Sequence, residues 1–413
     1  MANYDMQSVN YIQLALPVFF VAIGIEALVA WRTRKDWYSL HDSVANLACG
    51  SLEQLAELAY KTLIFAVYVL LYEHLRLANW PLESVLAWIS CFILVDLGYY
   101  WYHRASHRIW LLWAGHGPHH QSEEYNLTVA LRQGALERAG SWLFWLPLAI
   151  AGFHPLMYLA CAQFNNIYQF FIHTRAIDRL GPLEAVFNTP SHHRVHHGKN
   201  PAYIDKNFGG VLIIWDRLFG SFAPEQEAPV FGTVSPLRSW NPLWANWVFY
   251  VEMAQYMKGL TLLQRLQLPL KPPGWHPDRP EPEIPLVDAT TYSKYNTPRQ
   301  LKHNLLLSLH FGLLLLITTG FLELVKQLNP GQVLLGSGAL AMGFIVLAGL
   351  IEGRSWYWRA EGLLRLPLSL IALWLLPLPL SVQTIGSLIS LLMGLAGLYL
   401  QTEPQSSAQP LRS

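Results

Sequence analysis

The length of its apolar runs limits this chain more than any other feature. From Tyr11 to Trp31 there is one charged residue, Glu26, and the run reaches the ~20 residues that a helix needs to cross a bilayer. Comparable runs recur through to the C-terminal part. Across 413 residues, 53% are hydrophobic and 13% charged, where a soluble domain carries about 25% charged residues. Backbone inside lipid must satisfy its own hydrogen bonds, and a run of this kind does so as a helix. The expected fold is therefore an all-α integral membrane protein, a helical bundle.

Charge placement sets the expected topology. The opening residues MANYDMQSVN hold no basic residue before the first run, which argues against a cleaved signal peptide. Arg32, Arg34 and Lys35 follow that run at once, so its end is expected in the cytosol. A second helix is expected over about 55–75 and a third over 84–102. The chain then returns to the cytosol at Tyr102, one residue before His103. Two apolar pieces, 142–152 and 155–171, are broken at His154-Pro155 and read as a re-entrant hairpin or two tilted helices. The expected division is N-terminal membrane helices over 1–83 and a histidine-rich core over 84–225. A cytosolic segment with a Pro-rich linker follows over 226–303, then C-terminal membrane helices over 304–402 and a disordered tail over 403–413.

A net charge of +1 gives no nucleic-acid footprint. Cys49, Cys91 and Cys161 are dispersed and form no CxxC pair, so neither disulfides nor thiolate metal sites are expected. Sixteen histidines point to imidazole chemistry instead, and most of them fall in three clusters. His103 and His107 are an i, i+4 pair at the end of the third span, with both rings on one helix face. His116, His119 and His120 follow with HxxHH spacing, and Pro118 suits the first turn of a new helix. His193, His196 and His197 repeat HxxHH, and His192 sits beside the motif but outside its spacing. His173, in QFFIHT, ends the hairpin on the side where the clusters gather.

A lone histidine on such a helix is most often structural. Eight at repeated helical spacing are costly to bury without partners and read as a dinuclear metal site at the cytosolic face, with an adventitious zinc or nickel tract as the plainer alternative. Imidazole suits Fe, Zn, Cu and Ni alike. The chain has no ExxH and no HExxH, which removes the soluble di-iron carboxylate bundle and the zinc peptidase. A metal transporter would place its site near the bilayer midplane, whereas these histidines gather at one face. Asp96, Glu123, Glu124, Asp205 and Asp216 are candidates to orient the imidazoles. Asp96, inside an apolar run, and Glu123 are the expected catalytic carboxylates.

The stretches WYHRASH, WAGHGPHHQSEEYNLTVALRQ, FFIHT and LGPLEAVFNTPSHHRVHHGKNPAYIDKNFGGVLIIWDRLFGSF resemble the fatty acid hydroxylase and sterol desaturase superfamily. Within it they are most similar to the alkylglycerol monooxygenases. The resemblance is dense from about Phe92 to Phe222. It implies a non-haem centre of two Fe ions that inserts one atom of O2 into a C–H bond of a membrane lipid. It carries a ligand role to His103, His107, His116, His119, His120, His193, His196 and His197, and raises His173 to a ligand. It further implies tetrahydrobiopterin as the electron source and hydroxylation at the ether carbon of a glycerol ether, giving an aldehyde and glycerol. A sterol or fatty acyl hydroxylase or desaturase fed by a separate, external electron donor is the alternative within the superfamily. Animal alkylglycerol monooxygenases carry an acidic residue after the second histidine of HxxxH, where this chain has Arg108.

Overall fold

The computed structural model describes residues 10–401. The expected tail lies outside the described residues. Among these the chain is all helix and irregular loop, with two isolated β-bridges, Phe187–Leu212 and Gly198–Phe231, as its only β-pairing. The chain forms two compact units. One runs from the N-terminal side to Arg238 and again from Trp244 to Tyr295; the other holds Ser239–Leu243 and everything from Asn296 onwards. Most of the segment 226–303 thus packs within the first unit.

The first unit contains α1 (Tyr11–Arg32), α2 (Leu40–Glu57), α3 (Lys61–Leu75) and α4 (Val85–Arg108). After these come α5 (Trp110–His116), α6 (Glu137–Ser141), α7 (Leu146–Ala151), α8 (Pro155–Ile172), α9 (Pro190–His196) and α10 (Ile214–Leu218). Its later part holds α11 (Pro242–Tyr256), from Trp244 onwards, and α12 (Leu262–Gln267). Its core lies where α3, α4, α7 and α8 meet, built on Tyr68, Tyr72, Cys91, Val95, Leu148 and Met157. On α1, Phe19 stacks on Phe170 of α8, with ring centroids 3.9 Å apart. The three cysteines are all free and buried.

Length and hydropathy make α1 and α4 candidate spans, together with three helices of the second unit. The second helix differs from the expectation of one span over about 55–75. The structure has two helices there, α2 and α3, bent by 57°. Polar residues hid α2 from a hydropathy reading. His41, Asp42, Asn46, Glu53 and Glu57 are buried on it, turned into the protein rather than towards lipid. Arg138 pairs with both Glu53 (3.0 Å) and Glu57 (2.5 Å).

The break at His154-Pro155 has a local cause. Gly152 ends α7 in the left-handed region, at φ 93°, and the His154 ring caps α8 by accepting from the Leu156 N–H. The α3–α4 loop closes over this corner, with Leu77 N donating to Ile150 O at 2.7 Å. A Cβ on Gly152 would stand 2.0 Å from the Ala78 carbonyl oxygen.

The second unit holds α13 (Leu301–Leu324), α14 (Pro330–Glu352), α15 (Tyr357–Ala360) leading through a π-helical turn into α16 (Leu366–Leu375), and α17 (Leu380–Gln401), of which α13, α14 and α17 are the candidate spans. Inside it Arg365 pairs with Glu361, and its Nη1 donates to Ser390 Oγ at 2.9 Å. A buried ion pair in lipid needs such extra donors and acceptors.

Gly152→Ala tests the corner between α7 and α8. The positive φ and the Ala78 carbonyl together should cost more than about 1 kcal/mol. The expected outcome is a lower melting temperature of the detergent-solubilised protein, read by the loss of monodisperse material on heating.

Candidate metal centre

Five elements converge on one buried volume. The last two turns of α4 carry His103 and His107, with ring centroids 5.3 Å apart. Helix α5 ends at His116, and the 3-10 turn Gly117–Gln121, with Pro118 in its first turn, carries His119 and His120. His173 is the C-cap of α8. Helix α9 supplies His193 and His196, and its C-cap is His197. Gly117 lets α11 approach, since a Cβ there would lie 2.5 Å from the Phe249 ring.

The nine histidines separate into two groups. His103, His107, His116, His120 and His196 offer ligand nitrogens that all lie within 4.8 Å of one another, and so do His119, His173, His193 and His197. HxxHH is split between them, because its first and third histidines join one group and its second the other. His192 joins neither. Its ring packs edge-on against Phe222 at 5.3 Å.

Hydrogen bonds at the back of five of the rings fix which nitrogen carries the proton. His103 Nδ1 donates to Phe208 O (2.8 Å), His119 Nδ1 to Arg132 O (3.0 Å), His173 Nδ1 to Gln169 O (2.7 Å) and His196 Nδ1 to Lys206 O (2.9 Å). A carbonyl only accepts, so each Nδ1 carries the proton and each Nε2 is a bare lone pair. His116 Nδ1 faces a carboxylate, Glu137 Oε1, at 3.0 Å, with the same result. These bare nitrogens point at each other. The Nε2 atoms of His103 and His116 are 3.1 Å apart, and those of His119 and His173 are 3.2 Å apart. The Nε2 atoms of His107, His196 and His197 are buried with no hydrogen-bond partner.

Facing lone pairs repel unless a cation stands between them. Nitrogens held ~2.0–2.1 Å from a metal ion, at right angles about it, stand about 3 Å apart. The donor set therefore fits metal ions, one to each group. Burial, reinforced by the neighbouring imidazoles, pushes His119, His120, His193 and His197 well below the ordinary imidazole range. Burial alone takes His173 down to about 4 against the opposing pull of Gln169 O. Neutral imidazole is the ligating form.

One loop organises much of the first group. Residues 205–208 present the Lys206 and Phe208 carbonyls, and Asp205 stands 3.6 Å from His107 Nδ1. Asp205 (φ 57°) and Asn207 (φ 55°) are left-handed, a conformation that Asp and Asn tolerate better than other side chains. Asn207 Nδ2 donates to His192 O and Ala223 O, and Asp216 accepts from the N–H groups of Phe208 and Gly209, both at 2.7 Å. Arg108 donates to Asp205 at 2.6 Å, so its positive charge is neutralised behind His107.

Asp96 and Glu123, the expected catalytic carboxylates, are hydrogen-bonded to other parts of the chain rather than to the histidines. Asp96 accepts from the N–H groups of Val211 (2.7 Å) and Leu212 (3.0 Å), from Trp215 Nε1 (3.0 Å) and from Asn165 Nδ2 (2.6 Å). It holds the continuation of the 205–208 loop and acts on the imidazoles through backbone. Gly210 admits it, since a Cβ there would be 2.8 Å from Asp96 Oδ1. Glu123 accepts from Tyr292 Oη and Tyr295 N, both at 2.5 Å, and Glu124 pairs with Lys294 (2.7 Å) and Arg175 (3.0 Å). The sequence reading missed Glu137, whose Oε1 also accepts from Tyr102 Oη (3.1 Å). It missed Tyr125 too, which stacks on His173 at 5.8 Å. Neither residue stands in a histidine motif.

Residues 88–221 match the fatty acid hydroxylase family. Over 362 residues the chain is 34% identical to alkylglycerol monooxygenase of Xenopus tropicalis, covering 84% of this chain and 78% of the relative. The chain belongs to the alkylglycerol monooxygenase family. The Homo sapiens alkylglycerol monooxygenase is 40% identical over 290 residues, which are 67% of this chain and 64% of the relative. Lathosterol oxidase of Homo sapiens is more distant from this alkylglycerol monooxygenase family member, at 29% over 144 residues, 34% of this chain and 46% of the relative. No solved structure matches the chain.

Because the histidines form two separate groups, single substitutions should remove metal stepwise. Purified protein should hold about two metal ions per chain, as two imidazole-rich sites imply. His119→Ala or His196→Ala should lower that content towards about one, while the protein still inserts in the membrane. Elemental analysis of the purified variants reads the loss.

Proposed function

We propose that this chain is a membrane di-iron monooxygenase that uses O2 to hydroxylate a lipid C–H bond, and that its substrates are glycerol ethers. Family membership supports the class of reaction. The observation that carries the reading is the pairing of bare Nε2 atoms in two separate groups at the end of a candidate span. His103, His107, His116, His120 and His196 would hold one ion, and His119, His173, His193 and His197 the other. Iron, when bound, supplies the activation of O2.

The chain's own residues do the rest. The carbonyls of Arg132, Gln169, Lys206 and Phe208 keep protons on Nδ1 and hold each ring in place. Glu137 does the same for His116, steadied by the Tyr102 hydroxyl. The buried setting keeps water from the ligand nitrogens. A lipid can reach the end of α4 by sliding within the bilayer, so its tail needs no soluble carrier. Hydroxylation at the ether carbon makes a hemiacetal. The hydroxyl proton then passes to the departing ether oxygen as the C–O bond breaks, leaving an aldehyde and glycerol. Inserting one oxygen atom and reducing the other to water takes two electrons and two protons, and we assign these to tetrahydrobiopterin or to an external electron donor.

We place the metal centre at the cytosolic face, from Arg32, Arg34 and Lys35 after α1. Asp178 has a 96% exposed side chain, and the three native cysteines are buried. Asp178→Cys should therefore resist an impermeant maleimide applied to intact cells and react after permeabilisation. Reaction in intact cells reverses the orientation.

The chemistry is tested by incubating iron-loaded protein with an alkylglycerol and tetrahydrobiopterin, with and without O2, and trapping the aldehyde. Aldehyde should form only with O2. Should a sterol or acyl chain gain oxygen instead, with another reductant, the reaction is that of the wider superfamily and the ether assignment is wrong.

A further inference from the structure

One apolar face outside the long spans is left uncovered. Helix α12 and the 3-10 turn Leu268–Leu270 expose Leu262, Leu263, Leu266 and Leu270 at 75%, 66%, 66% and 66%. Steps of one, four and eight residues from Leu262 bring all four to one side of a helix. The opposite side is the anchored one, where Leu268 is fully buried and packs with Leu260 and Met253 on Trp110. A capping box between Thr261 and Gln264 fixes the first turn of α12, so the exposed leucines stand on a built element. Along it lie Lys258, Arg265 and Lys271, with no acidic residue from 258 to 271.

The height of this element is set by a span. Helix α4 ends at Arg108, and two residues later Trp110 N donates to Lys271 O at 2.8 Å. The C-terminal end of the 3-10 turn is therefore tied to the point where α4 leaves the bilayer. A short basic helix with a leucine face, held at that level, has the composition of helices that lie in the plane of a leaflet. Its cations suit lipid phosphates. A protein partner would have to cover four leucines at the level where lipid already stands.

We propose that α12 and the turn after it form an in-plane membrane helix within the stretch that hydropathy reads as cytosolic. Leu262, Leu263, Leu266 and Leu270 lie among acyl chains of the leaflet nearest the metal centre, and Lys258, Arg265 and Lys271 meet headgroup phosphates. The same turn packs on Trp110, the first residue of α5, whose last residue is His116. It thereby fixes a ligand-bearing helix to the leaflet that supplies the substrate. That last step rests on the proposed function; the depth of the helix does not.

The test uses the full chain in nanodiscs of phosphatidylcholine and phosphatidylserine. Leu262→Cys, Leu266→Cys and Leu270→Cys each carry an environment-sensitive fluorophore, and the buried native cysteines leave the label to the new site. Asp278→Cys, at an exposed loop position, is the control. The leucine-site labels should show blue-shifted emission, quenching by lipids with a nitroxide on the acyl chain, and loss of quenching by aqueous iodide. The Asp278 label should do the reverse. Iodide quenching at the leucine sites equal to that at the control overturns the proposal. So does protection from iodide without quenching by nitroxide lipid, which means that a protein partner or a second copy covers the face. Neither readout depends on turnover, so an inactive preparation would count against the oxygenase reading alone.

Discussion

The organisation of this protein depends on a repulsion. Imidazoles that are locked as neutral tautomers, with their lone pairs aimed at each other about 3 Å apart, are an unfavourable arrangement on their own. The chain holds it by force of numbers. Helices α4, α5, α8 and α9 are each fixed by packing or by backbone hydrogen bonds before any ligand is counted. A metal ion bound among them would turn the repulsion into attraction, and its binding free energy would then add to the stability of this site.

Around it the polar groups form a graded support. Asp216 and Asp96 take N–H groups from Phe208, Gly209, Val211 and Leu212, and so brace one loop from two sides. Leaving a buried donor without its acceptor costs about 1–3 kcal/mol, and Asp96 satisfies four donors at once. The intramembrane carboxylate thus matters to the centre by holding a shape.

Much of this could be read from the residues. The spacing of His103 with His107 and the two HxxHH runs picks out eight of the nine histidines that the structure gathers into two groups, and the place of His173 at the end of an apolar piece picks out the ninth. Periodicity carries that information because helical spacing fixes which side chains share a face. The long runs at α1, α4 and the C-terminal unit were equally plain. The bend between α2 and α3 was not, because Asp42, Glu53 and Glu57 lower the hydropathy of a helix that is inside the protein. The partition of HxxHH between two groups depends on how far apart the rings splay, which spacing does not encode. The imidazole acceptors were also hidden, as four of the five are backbone carbonyls, and every residue has one. Glu137 stands outside every motif and reaches His116 only through the placing of α6.

Those carbonyl acceptors decide how the protein can change. A side chain at Arg132, Gln169, Lys206 or Phe208 can be exchanged and the oxygen behind its imidazole remains, because it belongs to the main chain. The acceptor behind each of these four rings therefore survives a change of side chain. Buried Arg132, Gln169 and Phe208 answer to separate duties, Arg132 by donating to Pro118 O and Gln121, Gln169 by donating to Asn165, and Phe208 by packing among the imidazoles. An insertion or deletion of one residue between 205 and 212 would move two carbonyls and the groups that brace them together. For these acceptors, change of length in a short loop is the hazardous kind of variation.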